Sequence, residues 1–135
     1  MRLSKHLMRV IVPLAVTAPL AAFAADDTIW NCQNLDFEIS CIDGACAATD
    51  AHTPMDIQVS HDEISWCAYS GCWTGATSAT VASGRFQTYH GLALENAVDP
   101  SYIVDVAIMI DTVSHAASIM AADLFTIPAI CTPEG

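Results

Sequence analysis

Two segments of equal spacing, Cys41 to Cys46 and Cys67 to Cys72, hold four of the chain's six cysteines; Cys32 precedes them and Cys131 follows. Thiols so spaced can do two kinds of chemistry. They ligate a soft metal as thiolates, or they oxidise to disulfides. Structural zinc knuckles favour C-x2-C over the C-x4-C found here. No C-x-x-C occurs, so a thioredoxin-type redox centre and c-type haem attachment both lack their motif. The choice between thiolate and disulfide then rests on the compartment in which the chain folds.

The amino terminus points to that compartment. Arg2, Lys5 and Arg9 precede an apolar run over 10–22, and Ala22-Phe23-Ala24 offers small residues where a signal peptidase reads. The run, at ~13 residues, falls short of the ~20 a membrane-spanning helix needs. Residues 1–24 are expected to be a cleaved signal peptide, and 25–135 to form a single domain, periplasmic or secreted, with no membrane span after cleavage. Disulfides become the expected state of the cysteines, and neither metal nor other cofactor is expected. Cleavage also removes three of the four basic residues and leaves Arg85 against all 15 Asp and Glu. Phosphate backbones and anionic headgroups repel such a chain, which excludes nucleic acid as a partner and favours a cationic protein.

Six cysteines leave the connectivity open, but local geometry favours one solution. Phe37 to Ile42 alternates apolar and polar residues, and Asp43-Gly44 is a strong two-residue hairpin turn. That turn sets Cys41 opposite Cys46 at a non-hydrogen-bonded position, where the Cα atoms approach to ~4.5 Å, close enough for a disulfide. A four-residue loop over 68–71 would likewise set Cys67 opposite Cys72 and Trp66 opposite Trp73, with the sulfurs and the indoles on opposite faces. Cys32 and Cys131 then remain to join the start of the domain to its end.

Other side chains with chemical potential do not converge. His52, His61, His90 and His115 show no i, i+4 pair; His52, Met55 and His61 are the set with affinity for copper. His61-Asp62-Glu63 places a base beside two carboxylates, but neighbours on a strand point to opposite faces. G-x-S-x-G, H-E-x-x-H and phosphate-loop motifs are absent. No catalytic residue is assigned and a non-enzymatic role is expected, a small hydrolase with a dispersed site being the enzymatic alternative. Tyr69, at a loop tip, and the flanking Trp66 and Trp73 are the candidate binding residues, since such side chains dominate protein recognition. The competing reading packs both tryptophans in the core.

These residues need strands to position them. Met55 to Ser60 alternates, Thr77 to Ala82 and Arg85 to Leu94 flank a Ser83-Gly84 turn, and Glu95 to Ser101 reads as a loop. Tyr102 to Ile110 is rich in β-branched residues and reads as a well-buried strand. Residues 114–124 fit a strand slightly better than a helix, and Pro128 predicts that a last strand around 125–131 is an edge or is bulged. The expected fold is mainly β, a small antiparallel sandwich or barrel with three disulfides.

The segment Ile64 to Gly75, with the long strand ending near Asp111 and the terminal Ile127-Pro128-Ala129-Ile130-Cys131, resembles small exported cysteine-containing proteins of proteobacteria. That resemblance implies a periplasmic β-protein and carries over no site residue. Ala82-Ser83-Gly84-Arg85-Phe86 with Tyr89 is similar to the Ser-Gly loop of periplasmic inhibitors of C-type lysozyme, which are small disulfide-bonded β-barrels; no tryptophan or Lys-Gly segment continues the pattern downstream. The function expected is a periplasmic binding module for a cationic protein. A copper or zinc carrier and a lysozyme inhibitor are the alternatives, beside the hydrolase.

Overall fold

A computed structural model describes residues 27–35, 37–50, 52–68 and 71–134; the expected signal peptide and Tyr69 lie outside the described residues. Alternation with a period of two forms the strands here, because each buries one face. Ten strands follow in order: β1 (Ile29–Asn34), β2 (Glu38–Ile42), β3 (Ala45–Thr49), β4 (Asp56–Val59), β5 (Glu63–Ala68), β6 (Gly71–Ser83), β7 (Phe86–Asn96), β8 (Ile103–Asp111), β9 (Ala116–Ala121) and β10 (Phe125–Glu134). All pairings are antiparallel. Strands β1-β4-β5-β6-β7-β8-β9-β10 follow one another, and β10 pairs back onto β1, closing an eight-stranded barrel; β2 and β3 form a hairpin attached to β10. The barrel is the second of the two architectures the strand pattern allowed.

Inward residues fill the barrel as a packed core, with Ile57, Val59, Ile64, Tyr89, Leu94, Ile108, Ile119 and Ile127 all fully buried. Strand β8 departs from expectation. It alternates rather than lying buried on both faces: Val104, Val106, Ile108 and Ile110 point inward while Ile103 and Met109 are exposed. A barrel has an outside, and β-branched content does not distinguish one buried face from two.

Residues 116–121 form strand β9, as the sequence favoured. Pro128 does not sit on an edge or a bulge. It lies mid-strand opposite Ser118, with β10 paired to β2 before it and to β1 after it. Its carbonyl accepts from Leu35 N at 3.2 Å, so its missing N–H faces the point where β10 changes neighbours and interrupts neither ladder.

Long strands need bends to wrap a small barrel. Register shifts fall between Thr74 and Ala79 in β6 and between Gly91 and Leu94 in β7. At the second, Ala93 takes φ 54° and donates its N–H to Asp105 Oδ1 at 2.8 Å. Leu94 then folds back over Gly91, where a Cβ would collide with Leu94 Cδ1 and stand 3.0 Å from Ile64 Cδ1.

The three disulfides are those expected: Cys32–Cys131, Cys41–Cys46 and Cys67–Cys72, with Cα separations of 3.9, 4.1 and 4.0 Å. Each links residues directly opposite in an antiparallel pair. Strands β5 and β6 run on to Ala68 and Gly71, leaving residues 69 and 70 between them rather than a four-residue loop; the register is the same. On chain entropy, Cys32–Cys131 stabilises by about 4.7 kcal/mol and each short loop by about 2. Replacing Cys32 and Cys131 together by alanine should therefore lower the urea midpoint roughly twice as far as replacing Cys41 and Cys46. Gly91→Ala should cost about 1–3 kcal/mol in the same measurement, through overpacking against Leu94 and Ile64.

Candidate functional site

Strand direction divides the exterior into two ends, of which the first carries eight described carboxylates and no Lys or Arg, and the second Asp27, Asp62, Glu63, Asp111 and Glu134 with Arg85. The far ends of β1, β5, β7 and β9 and the near ends of β4, β6, β8 and β10 meet at one rim, beside the β2–β3 hairpin. Asp56 opens β4, Glu95 is next to last in β7, Asp99 lies in the β7–β8 loop, Asp105 is near the start of β8 and Asp123 is in the β9–β10 turn. The hairpin adds Glu38, Asp43 and Asp50. All but Glu38 are exposed, and no Lys or Arg stands among the described residues of this end.

Two buried or half-buried amides set the shape of the rim. Asn96, 5 % exposed, accepts at Oδ1 from Val98 N (2.8 Å) and Asp99 N (3.0 Å), while its own N donates to Tyr102 O. The loop so fixed raises Val98, 80 % exposed, and Tyr102 into solvent. Its carboxylate Asp99 accepts from the hydroxyl and the amide of Ser101, which holds its pKa below the ordinary value. On the other side Asn34 donates from Nδ2 to Thr53 O and accepts Met55 N at Oδ1, both at 2.8 Å. Thr53 N reaches Glu38 Oε2 at 3.3 Å, tying this segment to the hairpin. Asn34 carried no signal in the sequence, and Asn96 fell in the loop expected over 95–101, whereas β7 runs through it. Exposed Leu35, Phe37, Ile42, Leu92 and Ile103 stand among the acids, so the end is acidic and apolar together.

Of the aromatic residues singled out in the sequence, Trp66 and Trp73 lie beneath this rim. Trp66 and Trp73 stack with centroids 4.0 Å apart and planes 6° apart; Phe125 meets the first edge-on and Tyr102 the second. Both indoles are 4 % exposed, so they support the rim from the core and present no surface. The Cys67–Cys72 disulfide lies on the other face of the same hairpin, half-buried, as alternation requires.

An open cleft of about 500 Å³ lies beside that disulfide, lined by Gln33, Asn34, Pro54, Met55, Asp56, Cys67 and Ala68. It brings a single carboxylate and no histidine, so it offers polar recognition rather than an acid–base couple. His52 and His61 flank β4 at opposite ends, and Met55 is buried between them, so the copper set does not converge. All six cysteines are in disulfides, which leaves the thiolate reading without ligands. No group of three His, Cys, Asp or Glu among the described residues is placed to hold a metal.

The opposite end holds Arg85, the one Lys or Arg among the described residues. Arg85, in the β6–β7 turn, donates from Nε to Asp111 Oδ1 at 2.6 Å and pairs through its second nitrogen with Oδ2. Asp111 also accepts from Val113 N and Ser114 Oγ, so one carboxylate joins the β6–β7 and β8–β9 turns. The guanidinium, and then the Ser114 hydroxyl, hold the Asp111 carboxyl far below the usual aspartate range.

The fold and this rim define a disulfide-bonded, closed antiparallel β-barrel with one end more acidic than the other. Comparison of the chain with family models, curated proteins and solved structures finds no match.

A group whose pKa is depressed on folding stabilises fully above its unfolded value and loses that contribution as pH falls toward the folded one. Asp111 should therefore remain ionised near pH 3, where an ordinary aspartate of pKa about 4 is mostly protonated. Carbon-detected NMR titration should find this in the native chain and a rise toward the ordinary range in Arg85→Ala, where the Ser114 hydrogen bond remains.

Proposed function

We propose that the protein is an exported, periplasmic binding module whose acidic end receives a cationic protein. The observation that carries this reading is the uneven spread of charge. Eight described segments and strand ends bring carboxylates to one rim with no Lys or Arg among them, while the other end has five described carboxylates and the single Arg that export leaves, paired with Asp111. A rim of one sign steers an oppositely charged partner toward it and raises the rate of productive encounter. Val98, Tyr102, Phe37 and Ile42 supply apolar contacts that charge alone does not, and exposed apolar residues among polar ones are the usual make-up of a protein interface. Three disulfides fit folding in an oxidising compartment, as export requires. Strands β1, β4 and β5 turn Asn31, Gln33, Asp56, Gln58, Glu63 and Ser65 outward, which supports an aqueous rather than a lipid-facing exterior.

Inhibition of a basic lysozyme is one form of the same reading, since the closed barrel agrees with what the Ser-Gly loop implied. The two differ in the end they use. Ser83-Gly84 lies at the turn beside Arg85, away from the acidic rim.

Association with a basic C-type lysozyme and with basic proteins captured from a periplasmic extract should slow steeply as salt rises. The triple variant Asp50→Asn, Asp56→Asn, Asp123→Asn should bind about tenfold more weakly, whereas Asp62→Asn with Glu63→Gln, at the other end, should bind as the native protein does. Binding that ignores salt, or that is lost equally in both variants, overturns the reading. Loss on replacing Ser83 or Arg85 alone would move the contact to the opposite end.

A further inference from the structure

Closing the barrel gives each of its strands a neighbour on both sides, but the hairpin that grows from β10 ends in β3, whose one sheet neighbour among the described residues is β2. The direction of its free edge follows from the register. Cys41 donates its N–H to Leu124 O at 2.8 Å, away from β3, so the Cys41–Cys46 pair is of the non-hydrogen-bonded kind. Cys46 and Ala48 consequently turn their main-chain N–H and C=O groups outward from β2.

Natural sheet edges are commonly blocked by lysine, proline, a bulge or an inward charge. β3 reads Ala-Cys-Ala-Ala-Thr, pairs with β2 without a register shift, and carries none of these. It is also rigidly held. A disulfide spans it to β2, and β2 is rooted on β10 through Ser40 opposite Phe125 and Ile39 opposite Thr126. A free two-stranded hairpin is marginal in water, so this bond keeps an edge in extended form that would otherwise fray. Small side chains on one face of the hairpin leave a shallow groove of about 420 Å³ lined by Glu38, Ser40, Ile42, Ala45, Ala47 and Thr49. Charge selects the occupant. Asp43 at the turn, Asp50 at the end of β3 and Glu38 across from Thr49 surround the edge with carboxylates, which attract a basic strand and repel a second copy of this acidic chain.

We infer that β3 is a docking edge for an extended basic segment of the cationic partner, which adds to the sheet as a further strand. Main-chain hydrogen bonds to Cys46 and Ala48 supply affinity, and alternate side chains of the added strand lie over the groove. The inference rests on the cationic-partner reading and gives it a mode of contact. The far half of β6, beyond its last pairing with β5 at Ala76, is also without that neighbour, but it leads to Arg85, where a basic strand gains least.

The test uses the mature, oxidised protein and a capped Lys-Val-Lys-Val-Lys-Val peptide, beside its fully backbone-N-methylated counterpart. The second keeps every charge but donates no main-chain hydrogen bond. The unmethylated peptide should slow amide exchange at Cys46 and Ala48 and should bind about tenfold more tightly than the methylated one, the worth of one to two net hydrogen bonds. Ala48→Pro, which removes an outward N–H, should weaken it by a similar factor, with circular dichroism confirming that the barrel is intact. Equal binding of the two peptides, or protection confined to other strands, overturns the docking edge and leaves the charge reading standing. Failure of both peptides to bind at low salt overturns both. Self-association through β3 in place of peptide binding overturns the choice of occupant.

Discussion

Closure of β10 onto β1 is the contact on which the rest of this structure depends. A sheet of this length left open would present two unpaired edges and leave its inward face half covered. β10 solves this by serving three neighbours: β9 along one side, and β2 then β1 along the other. Cys32 and Cys131 meet at that seam, fully buried and directly opposite, so the longest covalent loop in the domain is closed where the barrel itself is closed. The disulfide and the seam reinforce each other. The bond limits the separation of the two strands in the unfolded chain, and the ladder holds the sulfurs where a bond forms between adjacent strands.

Once the seam is set, the other features take their places around it. Pro128, which elsewhere would break a central strand, falls at the switch between β2 and β1. The hairpin β2–β3 emerges because residues between β1 and β4 have no room inside a barrel whose wall is already continuous. Bends at Gly91 and Ala93 let the longest strands wrap, and the cavity that a glycine would leave is filled by Leu94. Stacked Trp66 and Trp73, with Phe125 and Tyr102 against them, fill the barrel under the acidic rim and give its loops a firm base.

Charge is distributed by the same topology. An acidic chain needs no particular arrangement of carboxylates to stay in solution. Here the strand ends at one rim collect eight of the described carboxylates and no Lys or Arg, while the other end has five, of which Asp111 engages Arg85 and binds two turns together. The polarity is a product of the fold, since the residues concerned are scattered from Glu38 to Asp123 in sequence.

Much of the scaffold was legible in the residues. Asp43-Gly44 between alternating segments predicted both the hairpin and the Cys41–Cys46 pair, and a loop over 68–71, two residues longer than the one found, predicted Cys67–Cys72 and the facing tryptophans in the same register. The pairing of Cys32 with Cys131 then followed by elimination. Other matters were not local. Whether β8 buried one face or two, whether Pro128 lay on an edge, and how Asn34 and Asn96 shape a rim all depend on contacts between segments far apart in the chain. The sequence by itself determined the strands, their hairpins and the disulfides. Only the tertiary structure decided that the sheet closes, that β3 has one sheet neighbour among the described residues, and that one end gathers more of the acids than the other. The physical reason is that alternation and turn chemistry act over a few residues, whereas barrel closure and the gathering of charge are settled by which distant strands meet.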